Sequence, residues 1–254
     1  TEYVCALSFL LFLSAAGTFG RPGIFMISPV SATINPAPAD TVACLIVIRK
    51  PVGRPSFVWS SVSEYCVGGV AALVGSIGVA LSGMVCNLTA GKKKYAMYED
   101  DIQRIIKDSE KLKTELMSLI DKDAENFYPL SQCYGLPANT EEEKAVKEEK
   151  MQAALKVAIT APIETVRLSY KAIKLHEELA VKGSKLAVSD VGCGVLCLKA
   201  AMESGWLNVM INLKSIHDEA YVSSVEKELL PLIDEGGRLA DSIYNDVKNQ
   251  LAYK

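Results

Sequence analysis

The sequence predicts an all-α protein: an antiparallel helical bundle with buried Gly/Ala-rich central helices, preceded by a poorly structured N-terminal segment. Charge is divided unevenly, since residues 1–91 hold four basic and three acidic side chains, whereas residues 92–254 hold 23 and 27. In the second part, apolar residues recur at steps of three and four, which is the period of an amphipathic helix. No alternation of strands and helices is visible, so a sheet-based fold is not expected.

The N-terminal part has neither a helical nor a strand period. Six of the ten prolines lie between residues 21 and 60, where they break helices and leave at most one short strand. The apolar run at 3–16 leaves two interpretations open: a membrane or targeting extension, or out-of-frame or misjoined sequence that is not native. We therefore predict an irregular, Pro-rich and apolar leader over 1–66 and a helical domain over 67–254.

The first helix is predicted from a run without charge between residues 66 and 91. Hydropathy alone also fits a membrane-spanning helix, because three lysines follow this run at once. Its many small residues suit close packing in lipid and the centre of a soluble bundle equally well. Hydropathy does not choose between the two interpretations.

The later helices are predicted from the apolar period and from residues that start or end helices. A Thr followed by three glutamates is typical of a helix start, and Gly and Pro residues separate the periodic segments. Gly205 is expected to end the penultimate helix and to leave 206–213 as a short apolar segment. The predicted ranges are 95–134, 139–160, 162–183, 189–202 and 218–253.

The composition excludes several classes of function. A net charge of −3 gives no basic surplus for binding nucleic acid. The seven cysteines contain no CxxC pair and only two histidines accompany them, so we expect no metal site. No P-loop, dinucleotide fingerprint or Ser-His-Asp set is present.

The candidate chemistry lies in polar side chains within apolar segments. Buried polar groups must find partners, so each of these side chains has a structural and a functional interpretation. The structural one is a surface carboxylate for Asp123, a helix cap for Asp190 and an inter-helix hydrogen-bonded pair for Asn208 and Asn212. These residues alone indicate a helical protein with a polar pocket.

Five sequence blocks are more specific than these single residues. They are GGVAALVG (68–75) with NLTAGKKKY (87–95), DKDAENF (121–127), YGLP (134–137), GSKLAVSDVG (183–192) and LNVMINLK (207–214). In order and without large gaps over about 68–254, they resemble the cyclodeaminase/cyclohydrolase family of tetrahydrofolate enzymes. The YGLP and SDVG blocks are most similar to the free-standing cyclohydrolases.

The resemblance implies a reaction, a cellular location and an oligomeric state. The implied reaction is hydrolytic opening of 5,10-methenyltetrahydrofolate to 10-formyltetrahydrofolate, or the related cyclodeamination of 5-formimidoyltetrahydrofolate with release of ammonia. Neither reaction needs a metal or a redox cofactor, so the folate is expected as substrate and no cofactor is expected. The family also implies a soluble bundle, so we expect a cytoplasmic homodimer with no membrane and no nucleic acid partner.

The resemblance also implies roles for single residues. Asp123 and Asp190 are expected to be catalytic, as the carboxylate beside the cationic one-carbon centre and the proton carrier, in either order. The asparagines are expected to bind the pterin and the lysines the glutamate tail. The expected substrate-binding residues are Gly68, Gly69, Lys92, Lys93, Lys94, Ser189, Asn208 and Asn212.

One departure from the family concerns the glycine loop. The family begins this block with a Pro and three or four glycines, whereas this chain has Tyr65, Cys66 and Val67 before its first two glycines. Because glycine permits close approach of the backbone to a ligand, the change puts activity in doubt. Two other interpretations therefore stay open: a catalytically impaired helical binding protein, and a membrane-tethered protein anchored by residues 3–19.

Overall fold

A computed structural model describes residues 67–252, and all of these residues belong to one compact unit. Within them there are two short 3-10 helices, six α-helices and no strand. The predicted all-α bundle is confirmed for this part of the chain, and the segment predicted as poorly structured, 1–66, lies outside it. The α-helices are α1 (Val67–Asn87), α2 (Glu99–Tyr134), α3 (Glu141–Ala158), α4 (Thr160–Lys182), α5 (Val188–Leu213) and α6 (Glu219–Leu251).

α1 is the centre of the bundle and packs against α2, α4 and α5. Its N-terminal end meets the later half of α2, where Gly69 lies against Ile120. Its C-terminal end meets the earlier half of α2, where the buried hydroxyls of Ser82 and Ser109 share a hydrogen bond of 2.8 Å. α1 and α2 are therefore antiparallel.

Glycines bring α1 and α5 into close contact. A Cβ at Gly78 would lie 2.9 Å from the carbonyl oxygen of Gly194 and 2.7 Å from Leu198, so only glycine fits at this crossing. Three residues earlier on α1, Gly75 lies against Ala201. Earlier residues of α1 therefore contact later residues of α5, so these two helices are also antiparallel. The predicted Gly-rich central helix is confirmed.

α1 is also long and apolar enough to cross a membrane. The stretch Gly68–Asn87 has a mean hydropathy of 2.0, and 56% of its most apolar window is buried within the bundle. The core helix of a bundle and a membrane-spanning helix pass this test alike. The other helices place polar groups against α1, including the Ser109 hydroxyl.

Most predicted helix ends are confirmed within a few residues. Thr140 forms a capping box with Glu143 at the start of α3, as the sequence pattern indicates. The start of α2 differs from the prediction, because residues Lys93–Tyr98 form a 3-10 helix and the α-helix begins at Glu99.

The predicted break at Gly205 is wrong. α5 continues through it to Leu213, so residues 206–213 belong to the same helix. A Cβ at Gly205 would lie 3.2 Å from Val166 and 3.3 Å from the carbonyl oxygen of Pro162. This glycine therefore serves close packing against α4 and does not end the helix.

Candidate functional site

The ten residues predicted for the site fall into two groups at opposite ends of α1. One group, the Gly68 end, consists of Gly68, Gly69, Asp123, Asn208 and Asn212. The other group, the Asp190 end, consists of Lys92, Lys93, Lys94, Ser189 and Asp190.

Helix register brings Asn208 to the Gly68 end. Ala201 lies against Gly75, and the two helices are antiparallel. Asn208 follows Ala201 by seven residues, and Gly68 precedes Gly75 by seven residues. Asn208 and Gly68 therefore lie at the same level of the bundle.

The same register places Asp190 near the other end of α1. Gly78 contacts α5 between Gly194 and Leu198. Asp190 lies six residues before the middle of that turn, so it is level with Met84 of α1.

The structure does not bring the two predicted catalytic aspartates together within one chain. Asp123 is level with Gly69, whose amide it binds, and Asp190 is level with Met84. Fifteen residues of helix separate these levels, which is about 22 Å at about 1.5 Å per residue. One small substrate centre does not contact both carboxylates of the same protomer.

Asp123 lies beneath the first turn of α1. Its side chain is 5% exposed, and its Oδ2 accepts a hydrogen bond of 2.8 Å from the backbone N–H of Gly69. A Cβ at Gly68 would lie 2.7 Å from Cγ of Asp123, so the carboxylate occupies the space that this glycine leaves. Burial raises the pKa of the Asp123 carboxyl, and the Gly69 hydrogen bond opposes that rise.

The structural interpretation of Asp123 as a surface carboxylate is wrong, and the sequence carried a signal against it. Leu112, Leu116 and Leu119 form the buried stripe of α2. Asp123 continues the same stripe at the next step of four residues. The apolar period of α2 predicts that position 123 is buried. A charged residue at such a position indicates a site more specifically than the residues next to it in the sequence do.

The two asparagines do not form the inter-helix pair that the structural interpretation expected. The side-chain amide of Asn208 donates to the carbonyl oxygen of Ser204 at 2.9 Å, and that of Asn212 donates to Asn208 at 2.8 Å. Both bonds lie within α5, because the carbonyl four residues earlier is the nearest acceptor on a helix. Both side chains are half-buried, and no donor among residues 67–252 bonds their amide oxygens.

Asp190 lies in the first turn of α5 but does not cap it. The N-cap position is Ala187, which makes no side-chain capping bond. The Asp190 carboxyl is half-buried, and burial raises its pKa. The helix-cap interpretation is therefore wrong, and the neighbouring Ser189 is exposed.

The three lysines lie in the connection between α1 and α2 and are exposed. Lys92 and Lys93 line a shallow pocket of about 250 Å³ together with Gly91 and Glu99. Gly91 has a φ of 70° and donates its N–H to Glu99 at 2.8 Å. The pocket thus carries two exposed cations beside one carboxylate that already accepts a hydrogen bond.

Two hydrogen bonds hold this connection beside the start of α5. The backbone N–H of Lys185 donates to the Tyr95 hydroxyl at 3.0 Å. The backbone N–H of Ser184 donates to the buried Thr89 hydroxyl at 2.8 Å. The lysines and Asp190 are therefore neighbours at one end of the bundle.

A larger groove, lined by no residue of either group, lies between the end of α2 and α3. It has a volume of about 480 Å³ and is mostly apolar, and the sequence did not indicate it. It is lined by Pro129, Gln132, Cys133, Leu136, Lys150, Ala153, Ala154 and Val157.

His176 is a buried histidine to which the sequence assigned no role. Its Nδ1 bonds the Ala172 carbonyl at 3.0 Å, and its Nε2 has no hydrogen-bond partner among the described residues. A Cβ at Gly194 would overlap Nε2, so the ring lies at the crossing of α1 and α5. Burial lowers the pKa of His176 to about 4, so the ring is neutral at physiological pH.

The described part of the chain offers no cluster of side chains suited to binding a metal ion. Residues 67–252 contain no group of three or more His, Cys, Asp or Glu side chains that would hold a metal ion. The Cys193 and Cys197 thiols are free and lie one turn apart on α5.

The sequence of this chain is similar to those of known proteins. Residues 62–230 match the profile of the formiminotransferase-cyclodeaminase family. A methenyltetrahydrofolate cyclohydrolase of Methylorubrum extorquens is 42% identical over 184 residues, which cover 72% of this chain and 88% of that protein. A formimidoyltransferase-cyclodeaminase of Sus scrofa is 30% identical over 171 residues, which cover 66% of this chain and 31% of that protein.

A solved structure agrees with these sequence matches. Formiminotetrahydrofolate cyclodeaminase from Thermotoga maritima superposes with a TM-score of 0.59 and 31% identity, over 73% of this chain and 86% of that chain. The family match spans two thirds of the sequence and contains both ends of the site. This chain therefore belongs to the formiminotransferase-cyclodeaminase family.

Proposed function

We propose that this protein opens 5,10-methenyltetrahydrofolate with water to give 10-formyltetrahydrofolate. The observation that carries the proposal is the match to a methenyltetrahydrofolate cyclohydrolase at 42% identity over nearly the whole of that protein. The buried Asp123 adds a chemical reason, because burial raises the pKa of its carboxyl, and a higher pKa makes the carboxylate a stronger acceptor for the proton of the attacking water.

The reaction needs one base and one stabilising charge. The oxygen of water attacks the cationic carbon that bridges N5 and N10, and a carboxylate takes the proton that the water loses. The remaining hydroxyl then loses its proton as its oxygen forms the C=O bond. The bond from that carbon to N5 breaks, N5 receives a proton, and the formyl group stays on N10, with one proton released overall. Asp123 and Asp190 are the proposed carboxylates, and a negative charge beside the cationic carbon also favours binding of the substrate.

The two glycines of the altered loop have a specific part in this scheme. Gly68 and Gly69 are the positions that contact Asp123, and both are present in this chain. A larger side chain at Gly68 would displace the carboxylate. We propose that the loop change before them alters folate affinity and leaves the position of Asp123 intact.

The remaining site residues are proposed to bind the substrate. The amide oxygens of Asn208 and Asn212 are proposed to accept hydrogen bonds from the pterin. Lys92, Lys93 and Lys94 are proposed to attract the glutamate tail by charge, because a glutamate tail is anionic. Ser189 is exposed beside Asp190 and offers one hydroxyl. No metal or other cofactor takes part in the proposed reaction.

Cyclodeamination of 5-formimidoyltetrahydrofolate is the second candidate. In that reaction N10 attacks the formimidoyl carbon and ammonia leaves. The Sus scrofa relative and the Thermotoga maritima structure favour it, since both are cyclodeaminases by name. The chain spans about a third of the Sus scrofa protein, so the transferase part of that enzyme has no counterpart in the match.

We further propose that the protein is a cytoplasmic homodimer with no membrane attachment. The folate chemistry of its relatives supports the cytoplasm, and the burial of 56% of the most apolar window of α1 supports a soluble bundle. Cell fractionation tests this point, because recovery in the membrane pellet would contradict it.

Assays of the purified full chain on both folates test the function. Loss of methenyl absorbance reports cyclohydrolase activity, and release of ammonia reports cyclodeaminase activity. We expect the first at a rate well above the uncatalysed one. Folate binding in a titration without either activity would instead identify an impaired binding protein.

A further inference from the structure

Phe127 is an exposed aromatic residue on α2, one turn after the buried Asp123. Residues four apart share a face of a helix, so the two side chains are neighbours on one side of α2. Side chains on a helix lean toward its N-terminus, which brings the ring of Phe127 back toward the carboxylate. Phe127 therefore adjoins the Gly68 end of the site.

The exposure of Phe127 departs from the apolar period of α2. Leu116, Leu119 and Asp123 are buried, and burial resumes at Leu130. The step of four residues after Asp123 falls on Phe127, which is 39% exposed. A large apolar side chain in register with a buried stripe is thus accessible beside a buried carboxylate.

The exposure of Phe127 has its cause in the point at which α1 begins. Asp123 accepts its hydrogen bond from Gly69, and α1 starts at Val67. Four residues of α2 rise about 6 Å, whereas the two residues from Gly69 back to Val67 span only about 3 Å. Because the two helices are antiparallel, Phe127 lies about 3 Å beyond the first residue of α1. α1 therefore leaves the ring of Phe127 uncovered.

In the described part of the chain, no cation of the protein lies over the ring of Phe127. Lys94 lies 5.6 Å from the ring centroid of Tyr95. Lys156 lies 5.2 Å from the ring centroid of Tyr221. The face of Phe127 is therefore open to a cation that a ligand brings, and an aromatic face attracts cations because it carries partial negative charge.

We propose that the ring face of Phe127 binds the cationic bridge of 5,10-methenyltetrahydrofolate next to Asp123. This inference rests on the proposed function, since it names a further residue that binds the substrate of that reaction. The positive charge of the bridge is spread over N5, the bridging carbon and N10, and a flat, delocalised cation suits the face of an aromatic ring. Phe127 thereby favours a cationic folate over a neutral one.

The role of Phe127 has a particular kinetic signature. Attack of water removes the positive charge of the bridge, so the ring binds the substrate more strongly than it binds the transition state. Phe127→Leu keeps an apolar side chain at this position and removes the aromatic face. It should raise KM for 5,10-methenyltetrahydrofolate about fivefold and should not lower kcat.

Fluorinated phenylalanines at position 127 separate the charge of the ring from its shape. Each fluorine withdraws electron density from the ring face and changes the shape little, so KM should rise stepwise through the mono-, di- and trifluorinated full chains. Tyr128→Leu is the matched control, because Tyr128 is the next residue, is 54% exposed and points about 100° away around α2. Its KM should equal that of the wild type. Circular dichroism shows whether each variant remains helical.

A KM that stays constant across the fluorinated series would overturn the role of Phe127 and leave the proposed function standing. A lower kcat with unchanged KM in Phe127→Leu would also contradict it, because the ring would then act on the chemical step or on the structure. If the wild type does not open 5,10-methenyltetrahydrofolate, the proposed function fails, and equilibrium titration of the same variants with this folate tests the ring by itself. Affinity that falls with each fluorine would support the role of Phe127, whereas constant affinity or absence of binding would refute it.

Discussion

Lowering the pH from about 8 to about 4.5 should destabilise the bundle by about 2.5 kcal/mol through His176 alone. The ring is fully buried, and burial lowers its pKa from 6.5 to about 4, with the bond to the Ala172 carbonyl opposing the change. The unfolded chain therefore binds a proton near pH 6.5, while the folded chain resists protonation until about pH 4. Stability is complete above the unfolded pKa and falls as the pH drops toward the folded pKa.

The magnitude follows from the difference between the two pKa values. A full difference of about 2.5 pH units at about 1.4 kcal/mol each amounts to about 3.4 kcal/mol, reached well below pH 4. By pH 4.5 about three quarters of it has appeared. For a helical domain of this size, that loss lowers Tm by roughly 5 to 10 °C.

Urea unfolding of wild type and His176→Gln across this pH range measures the effect. The wild-type free energy of unfolding should fall by about 2.5 kcal/mol more than that of the variant. Comparing the two proteins removes the contributions of carboxyls such as Asp123, whose raised pKa acts in the opposite direction. His217→Gln is the matched control, because His217 is the other histidine and its side chain is 73% exposed. Equal pH slopes in wild type and His176→Gln would refute the reasoning.

Three further substitutions separate packing, capping and chemistry. Gly68→Ala should cost about 2 kcal/mol in urea melts, because its methyl overlaps the Asp123 carboxylate, whereas Gly237→Ala, in open space, should add about 0.5 to 1 kcal/mol. Thr140→Ala should lower the free energy of unfolding by about 1 kcal/mol in the same melts, because it removes the capping box. An unchanged free energy of unfolding would show that the capping box does not stabilise α3. Asp190→Asn should lower methenyltetrahydrofolate turnover by about tenfold or more with little change in Tm, and unchanged turnover would remove Asp190 from the site.

The order and type of the helices were predictable because their signals are local. Apolar steps of three and four residues, the Thr140 capping pattern and the glycine at 135 are each contained within one helix or one turn. Gly205 was misjudged for the opposite reason. Its role depends on Val166 and Pro162, which lie about 40 residues earlier in the chain and are adjacent only in the fold.

The sequence names candidate site residues, and their roles stay predictions, but it does not give their arrangement. The resemblance selected Asp123 and Asp190, but the register between α1 and α5 decides that they lie at opposite ends of one chain. Burial of Asp123 follows from the stripe of α2, which the sequence does contain. The lowered pKa of His176 depends on Gly194 and its neighbours, so no local pattern around the histidine indicates it.

The place of α1 in the chain has a consequence for biosynthesis. α2 follows α1 directly in the chain. By contrast, the contact between Gly78 of α1 and Leu198 of α5 joins residues that are 120 positions apart. At about 5 to 20 residues per second, the ribosome takes about 6 to 24 s to add that much chain. An uncharged helix of 21 residues therefore emerges well before α5 exists. During this interval α2 is the neighbour that can already cover α1, and the face of α1 that packs on α5 in the finished fold stays exposed.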